Sequence, residues 1–343
     1  MTQTVSDPSP APPLHRSAAF EPPTWLTNAH LQSILPSLTL RRPFLARRAR
    51  EMLTCAQTQI LDCGDGVRLL GHYSSQAAAG HAPARDIAIL LHGWEGSADS
   101  LYVLSLGSHL FGLGCDVYRL NFRDHGPSHH LNEEIFHSCR LDEVVGAVRR
   151  IQEMLPGRRI TVAGFSLGGN FALRVANRAP GAGIRLERVV AICPVLRPHS
   201  TMDVLEEGAY VYRQYFIQKW KRSLRLKQSL FPKRYDFASI LAQRSIKTMT
   251  EVMVERYSDF GSLDAYLSGY AIVGDALASL AVPSHVILAE DDPIIPARDL
   301  KDLASNPQLQ ITTLPHGGHC GFMDSFNRES WADRQVARFM GLK

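Results

Sequence analysis

Arg159-Ile160-Thr161-Val162-Ala163-Gly164-Phe165-Ser166-Leu167-Gly168-Gly169-Asn170 joins an apolar strand pattern to a helix pattern, with one serine at the junction. Ile160 to Ala163 form a short buried-strand run, and helical spacing begins at Leu167. Gly164-Phe165-Ser166-Leu167-Gly168 matches G-x-S-x-G. A bare match means little, because composition alone yields one in about ten chains of this length. Its position between strand and helix carries the weight. A turn this sharp strains the serine backbone and lifts the hydroxyl out of the sheet, and the glycines let strand and helix pass close together. Ser166 is therefore the candidate nucleophile.

Outward from this turn, strand and helix patterns alternate. Residues 51–62 and 67–74 flank Gly64-Asp65-Gly66 and read as an antiparallel pair. Strands are expected at 87–91, 116–121, 159–163, 188–193, 285–289 and 310–314, with helices at 100–111, 141–155, 167–178, 297–304 and 330–340. Such alternation predicts a mostly parallel sheet covered on both faces. Between about 198 and 280 it stops, and the chain turns helical and locally basic, which predicts a helical cap inserted between two strands. Pro-rich residues 1–18 read as a disordered tail, leaving 19–343 as one domain with its cap.

A serine hydroxyl needs a base and the base needs an orienting acid. The base is expected on a late loop, where His316-Gly317-Gly318-His319-Cys320-Gly321 follows the last strand. His319 is preferred to His316 because it lies farther beyond the strand, amid glycines that let the loop turn back. Glu290-Asp291-Asp292-Pro293 follows the preceding strand. Asp292, directly before the proline turn, is the expected acid, and Asp291 the alternative. The order Ser166…Asp292…His319 is that of α/β-hydrolases. Two N–H donors are needed for a developing oxyanion. Leu167 supplies one at the helix N-terminus, and Trp94, after the strand ending in His92-Gly93, the other.

With these residues in place, the chain resembles the α/β-hydrolase superfamily and, within it, the YheT-like branch. The narrower likeness rests on Pro22-Pro23-Thr24-Trp25-Leu26-Thr27-Asn28-Ala29-His30-Leu31-Gln32-Ser33, on Leu91-His92-Gly93-Trp94-Glu95-Gly96-Ser97, and on Gly164 to Asn170 with the late Gly-Gly-His319. It spans from about Phe20 to the C-terminus. The resemblance implies an eight-stranded sheet and a serine esterase of short to medium acyl chains, some eukaryotic relatives being lipid hydrolases. Asn121-Phe122-Arg123-Asp124-His125-Gly126 departs from the branch's more usual Arg-Gly-rich turn, and no N-terminal membrane anchor like that of the eukaryotic relatives is found.

Composition narrows the remaining options. A chain of 343 residues, 45% hydrophobic, suffices for one large α/β domain, and a net charge of +4 is too weak to point to nucleic acid. No secretory signal or apolar run of spanning length is present, so a cytoplasmic protein is expected. The six cysteines match no zinc or disulfide framework and read as reduced, mostly buried thiols. No metal and no cofactor are expected. Asp124, His125, His129, His130 and His137 read as a polar loop near the pocket, lacking a ligand spacing. Residues 212–234 are rich in Lys and Arg, while Tyr212, Phe216, Trp220 and Leu224 recur every fourth position. They read as a cap helix with a solvated basic face, weak contact with an anionic membrane being the sharper reading. Phe216 and Trp220 are expected to wall the substrate pocket. The expected partner is a small-molecule acyl ester. A small-molecule receptor on the hydrolase fold and an acyltransferase remain as other readings.

Overall fold

The computed structural model describes the backbone of Leu14–Arg16 and all of residues 20–343. Apart from Leu14–Arg16, the expected disordered tail lies outside the described residues. Among the described residues, nine strands form one sheet: β1 (Leu14–Arg16), β2 (Gln57–Asp62), β3 (Arg68–Ser74), β4 (Asp86–Leu91), β5 (Asp116–Leu120), β6 (Arg159–Phe165), β7 (Leu186–Ile192), β8 (Ser284–Ala289) and β9 (Leu309–Leu314). Their order is β1-β9-β8-β7-β6-β4-β5-β3-β2. β2 pairs antiparallel with β3 and β3 with β5, and the other pairs are parallel. The eight-stranded, mostly parallel sheet expected from sequence is thus present, and the short β1 extends it along β9.

Strand periodicity splits the core in two. Ile87, Ile89 and Leu91 of β4 enter one apolar cluster, with Phe171 and Leu173 of the helix Leu167–Arg178 and Val144 and Val148 of Leu141–Met154. Ala88 and Leu90 enter the other, with Leu106 and Leu110 of Leu101–Gly112 and Val336 of Trp331–Met340. Burial on both faces explains why β4 reads as a near-continuous apolar run from Ile87 to Leu91.

Two elements differ from expectation. The strand foreseen from residue 51 starts at Gln57, and Arg50–Thr54 before it is a helical turn packed near the Leu101–Gly112 helix. The helix foreseen at 297–304 is a tighter 3₁₀ turn, Ala297–Asp302, entered from Pro296. Between β7 and β8 the chain forms the helices Pro198–Glu207, Tyr210–Leu230, Ala238–Leu241, Ile246–Tyr257 and Leu263–Ser268.

The basic side of Tyr210–Leu230 is not simply solvated. Lys227 is buried and donates to Asp124 Oδ1 (2.9 Å) and to the carbonyls of Asn132 (2.6 Å) and His129 (3.3 Å). Lys219 donates to the Glu95 carbonyl (2.8 Å) and Lys221 to that of Gln243 (2.6 Å). These cations satisfy loop carbonyls that a sequence cannot place beside them.

Candidate active site

Ser166 sits at φ 53°, ψ −120°, between β6 and the helix Leu167–Arg178. A non-glycine residue there is strained and needs the surroundings to hold it. Its N–H donates to the Ile192 carbonyl (2.8 Å), and its carbonyl accepts from the Asn170 N–H (3.1 Å). The flanking glycines are required by contact: a Cβ on Gly164 would lie 2.1 Å from the Gly168 carbonyl oxygen, and one on Gly168 2.4 Å from that of His92.

Asp292 and His319 meet across two loops at the ends of β8 and β9. His319 Nδ1 lies 2.9 Å from Asp292 Oδ2, and the carboxylate is fully buried. Asp292 Oδ1 also accepts from the N–H groups of Ile294 (2.8 Å) and Ile295 (2.9 Å). That fixes the carboxylate and leaves His319 Nε2 on the far side of the ring, 3.9 Å from Cys320 Sγ. Burial opposes a charge on His319, but Asp292 and Cys320 outweigh it and hold the imidazole well above its ordinary value. The two alternatives pair elsewhere. Asp291 accepts from the Gly318 N–H (2.8 Å) and lies 3.4 Å from His316. Asp291 shapes the loop that carries His319.

Sequence reading missed what the N-terminal motif does. Asn28 caps the short helix Ala29–Ile34. Within that helix the Ser33 hydroxyl accepts from the His319 N–H (2.8 Å). The buried Gln32 amide bridges the Leu26 carbonyl and both the N–H and the C=O of Met323. His30 Nδ1 meets the Tyr212 hydroxyl at 2.9 Å, tying the motif to the helix Tyr210–Leu230. A family likeness marked these residues; only tertiary contact gives their work, which is to seat the His319 loop.

The Trp94 loop is seated by two neutral histidines. His92 Nδ1 donates to the Gly93 carbonyl (2.7 Å), and its Nε2 accepts from the Phe122 N–H (3.2 Å). His125 Nδ1 donates to the Arg123 carbonyl (2.7 Å), and its Nε2 accepts from the Glu95 N–H (3.2 Å). Complete burial pushes His92 down to about 4 and His125 well below its ordinary value. The Asn121–Gly126 turn thus props the loop behind Ser166. Among the described residues, the N–H groups of Trp94 and Leu167 meet no acceptor.

Ser166 opens onto two cavities. The larger, about 580 Å³, is shared with His319, Cys320, Glu95, Tyr215 and Lys219. Burial holds a proton on Glu95 up to about 8, against the pull of Lys219. The smaller, about 90 Å³, is walled by Phe216, Trp220, Met202, Leu205 and Met253. Trp94 separates them, stacked on Phe216 (ring centroids 5.2 Å apart) and edge-on to Trp220 (5.4 Å). The structure therefore brings Ser166, His319, Trp94, Leu167, Phe216 and Trp220 to one place, with Asp292 directly behind.

A sequence profile described as the alpha/beta hydrolase fold matches residues 89–326. The chain belongs to the α/β-hydrolase family. Within that family it is YheT-like. It is 25% identical over 327 residues to YheT of Escherichia coli (strain K12), named provisionally as an esterase, covering 93% of this chain and 92% of that protein. Phospholipase ABHD3 of Mus musculus is 21% identical over 314 residues, covering 88% and 74%. Among solved structures, the esterase Pf2001 of Pyrococcus furiosus superimposes with a TM-score of 0.55 at 17% identity, covering 83% of this chain and 90% of its own. That likeness speaks for the fold. No helix among the described residues is long and apolar enough to cross a membrane.

Proposed function

We propose that this α/β-hydrolase cleaves carboxylic esters through an acyl-Ser166 intermediate. The observation that carries the reading is Ser166 on its strained turn, sharing a cavity with a His319 whose Nδ1 is held by the buried Asp292. His319 Nε2 takes the Ser166 proton as the hydroxyl attacks the ester carbonyl. The Trp94 and Leu167 N–H groups receive the oxyanion. His319 then gives its proton to the leaving alkoxide, and the same steps with water release the acid. No cofactor enters any step. The esterase and phospholipase names of YheT and ABHD3 support an ester substrate.

Residues 198–280 act as the cap. Its apolar chamber at Trp220 takes the acyl chain, which loses contact with water on binding. The chamber of about 90 Å³ favours short chains. The wider cavity at Glu95 and Lys219 takes the alcohol portion.

The test is turnover of p-nitrophenyl esters with labelling by a fluorophosphonate. The wild-type chain labels and turns over, and Ser166→Ala does neither while keeping its circular dichroism. Activity surviving in Ser166→Ala would overturn the assignment. No labelling of Ser166 in the folded wild-type chain would favour the receptor reading, and transfer to added alcohols in preference to water the acyltransferase.

A further inference from the structure

Behind His319, on the side away from Asp292, two cysteines converge that are 127 positions apart in the chain. Cys193 lies one residue beyond the end of β7, and Cys320 follows His319 directly. The Cys320 N–H points at Cys193 Sγ (3.4 Å), and Cys320 Sγ lies 3.9 Å from His319 Nε2. Cys193 Sγ, His319 Nε2 and Cys320 Sγ all lie within 4.8 Å of one another. Sulfur and nitrogen ligands of a tetrahedral zinc stand roughly 3.5–4 Å apart, given bonds of about 2.3 Å to sulfur and about 2.0 Å to nitrogen. The three atoms are thus close to a preformed trigonal face. His319 and Cys320 both border the large cavity, and Cys193 is buried beside them.

We propose that Cys193, His319 and Cys320 form a binding site for a thiophilic divalent cation, zinc by its ligand chemistry, and that occupancy switches the hydrolase off. Two thiolates and an imidazole select zinc over magnesium or calcium, which prefer oxygen. The Asp292 carboxylate on Nδ1 is the partner that metal-bound histidines characteristically have, and it turns the Nε2 lone pair toward the sulfurs. Each thiol gives its proton to solvent on coordination. The fourth position faces the cavity and takes water. With its lone pair on the metal, His319 no longer accepts the Ser166 proton. The inhibitory half of the proposal rests on His319 being the base; the binding half does not.

The test uses the full chain, reduced and stripped of metal, with cobalt(II) chloride as spectroscopic probe and zinc chloride as inhibitor. One equivalent of cobalt should bring up a near-ultraviolet thiolate-to-metal charge-transfer band together with tetrahedral d–d bands in the red. Cys193→Ala and Cys320→Ser should each weaken that band, and the double variant should lose it. Zinc should lower ester turnover by about a hundredfold or more, the scale set by loss of a general base, with full recovery on adding EDTA. Cys193→Ala should keep its basal turnover and resist zinc. No charge-transfer band, or an equal band in both variants, would overturn the site. The thiolate band with turnover unchanged would keep the site and remove His319 from its catalytic role. Inactivation that needs an oxidant and is reversed by a thiol, not by EDTA, would make the pair a disulfide switch and overturn the metal.

Discussion

His319 is held from three sides: Asp292 at Nδ1, Ser33 at its N–H, and the Gly317-Gly318 bend beneath it. Two of these supports yield separable tests. Asp292→Asn leaves the contact geometry but removes the charge that favours imidazolium. The acid limb of kcat/KM should move to lower pH, and kcat should fall about 10⁴-fold. Ser33 borders the large cavity, and its hydroxyl holds the His319 backbone, which makes it a positioning residue. Losing the hydrogen bond that it accepts from His319, worth about 0.5–1.5 kcal/mol, should lower kcat roughly threefold to tenfold in Ser33→Ala with a smaller change in KM, and Ser33→Thr should restore it. Glu95 provides a pH test. Its carboxyl is neutral below about 8 and charged above, beside the cavity assigned to the alcohol. KM for an apolar ester should rise as pH passes about 8, and Glu95→Gln should flatten that rise. The folded chain keeps this proton where the unfolded chain releases it near 4.5, so the associated stability is present at low pH and is lost as pH climbs through about 8.

At the scale of elements, the helix Tyr210–Leu230 has two jobs on different sides. Its aromatic residues Phe216 and Trp220 wall the small chamber beside Ser166. Trp220→Ala should enlarge that chamber and shift acyl-chain preference toward longer esters, with little change in the rate on acetate. Equal effects on both would take the acyl chain out of this chamber. The other side is anchored by Lys227 on Asp124, a pair almost wholly out of water. Burial pushes Asp124 up and Lys227 down even against their mutual attraction, so the pair is costly to bury and costlier to break. Lys227→Met leaves an unpaired buried carboxylate and should lower stability by about 3–5 kcal/mol in urea titration. Adding Asp124→Asn to that variant should recover part of the loss.

Across the whole molecule, the helices between β7 and β8 share one apolar cluster with the sheet. Leu205, Tyr212, Ile217, Met253 and Tyr266 belong to the same buried group as Ile89, Val162 and Phe171 of the sheet and its helix. A cap built into the core does not melt by itself. Tryptophan fluorescence and far-ultraviolet ellipticity should therefore change with the same urea midpoint, and an earlier fluorescence midpoint would show the cap releasing first.

The alternation of β4 to β9, the elbow at Ser166 and the order Ser166…Asp292…His319 are legible in the residues alone. Each rests on local information: side-chain periodicity, a turn that demands glycine, and the fixed order in which strand ends deliver loops to one edge of a sheet. The stripe of Tyr212, Phe216, Trp220 and Leu224 was legible for the same reason, since period four marks one helix face. Tertiary structure alone decided which of Asp291 and Asp292 reaches His319, because adjacent residues on a bend point in different directions. It also decided that Lys219 and Lys227 turn inward, that Ser33 and Gln32 seat the His319 loop, and that Cys193 comes to lie against Cys320. Those contacts join segments far apart in the chain, and their partners are chosen by the closing of the sheet, a distance relation that no local pattern of residues carries.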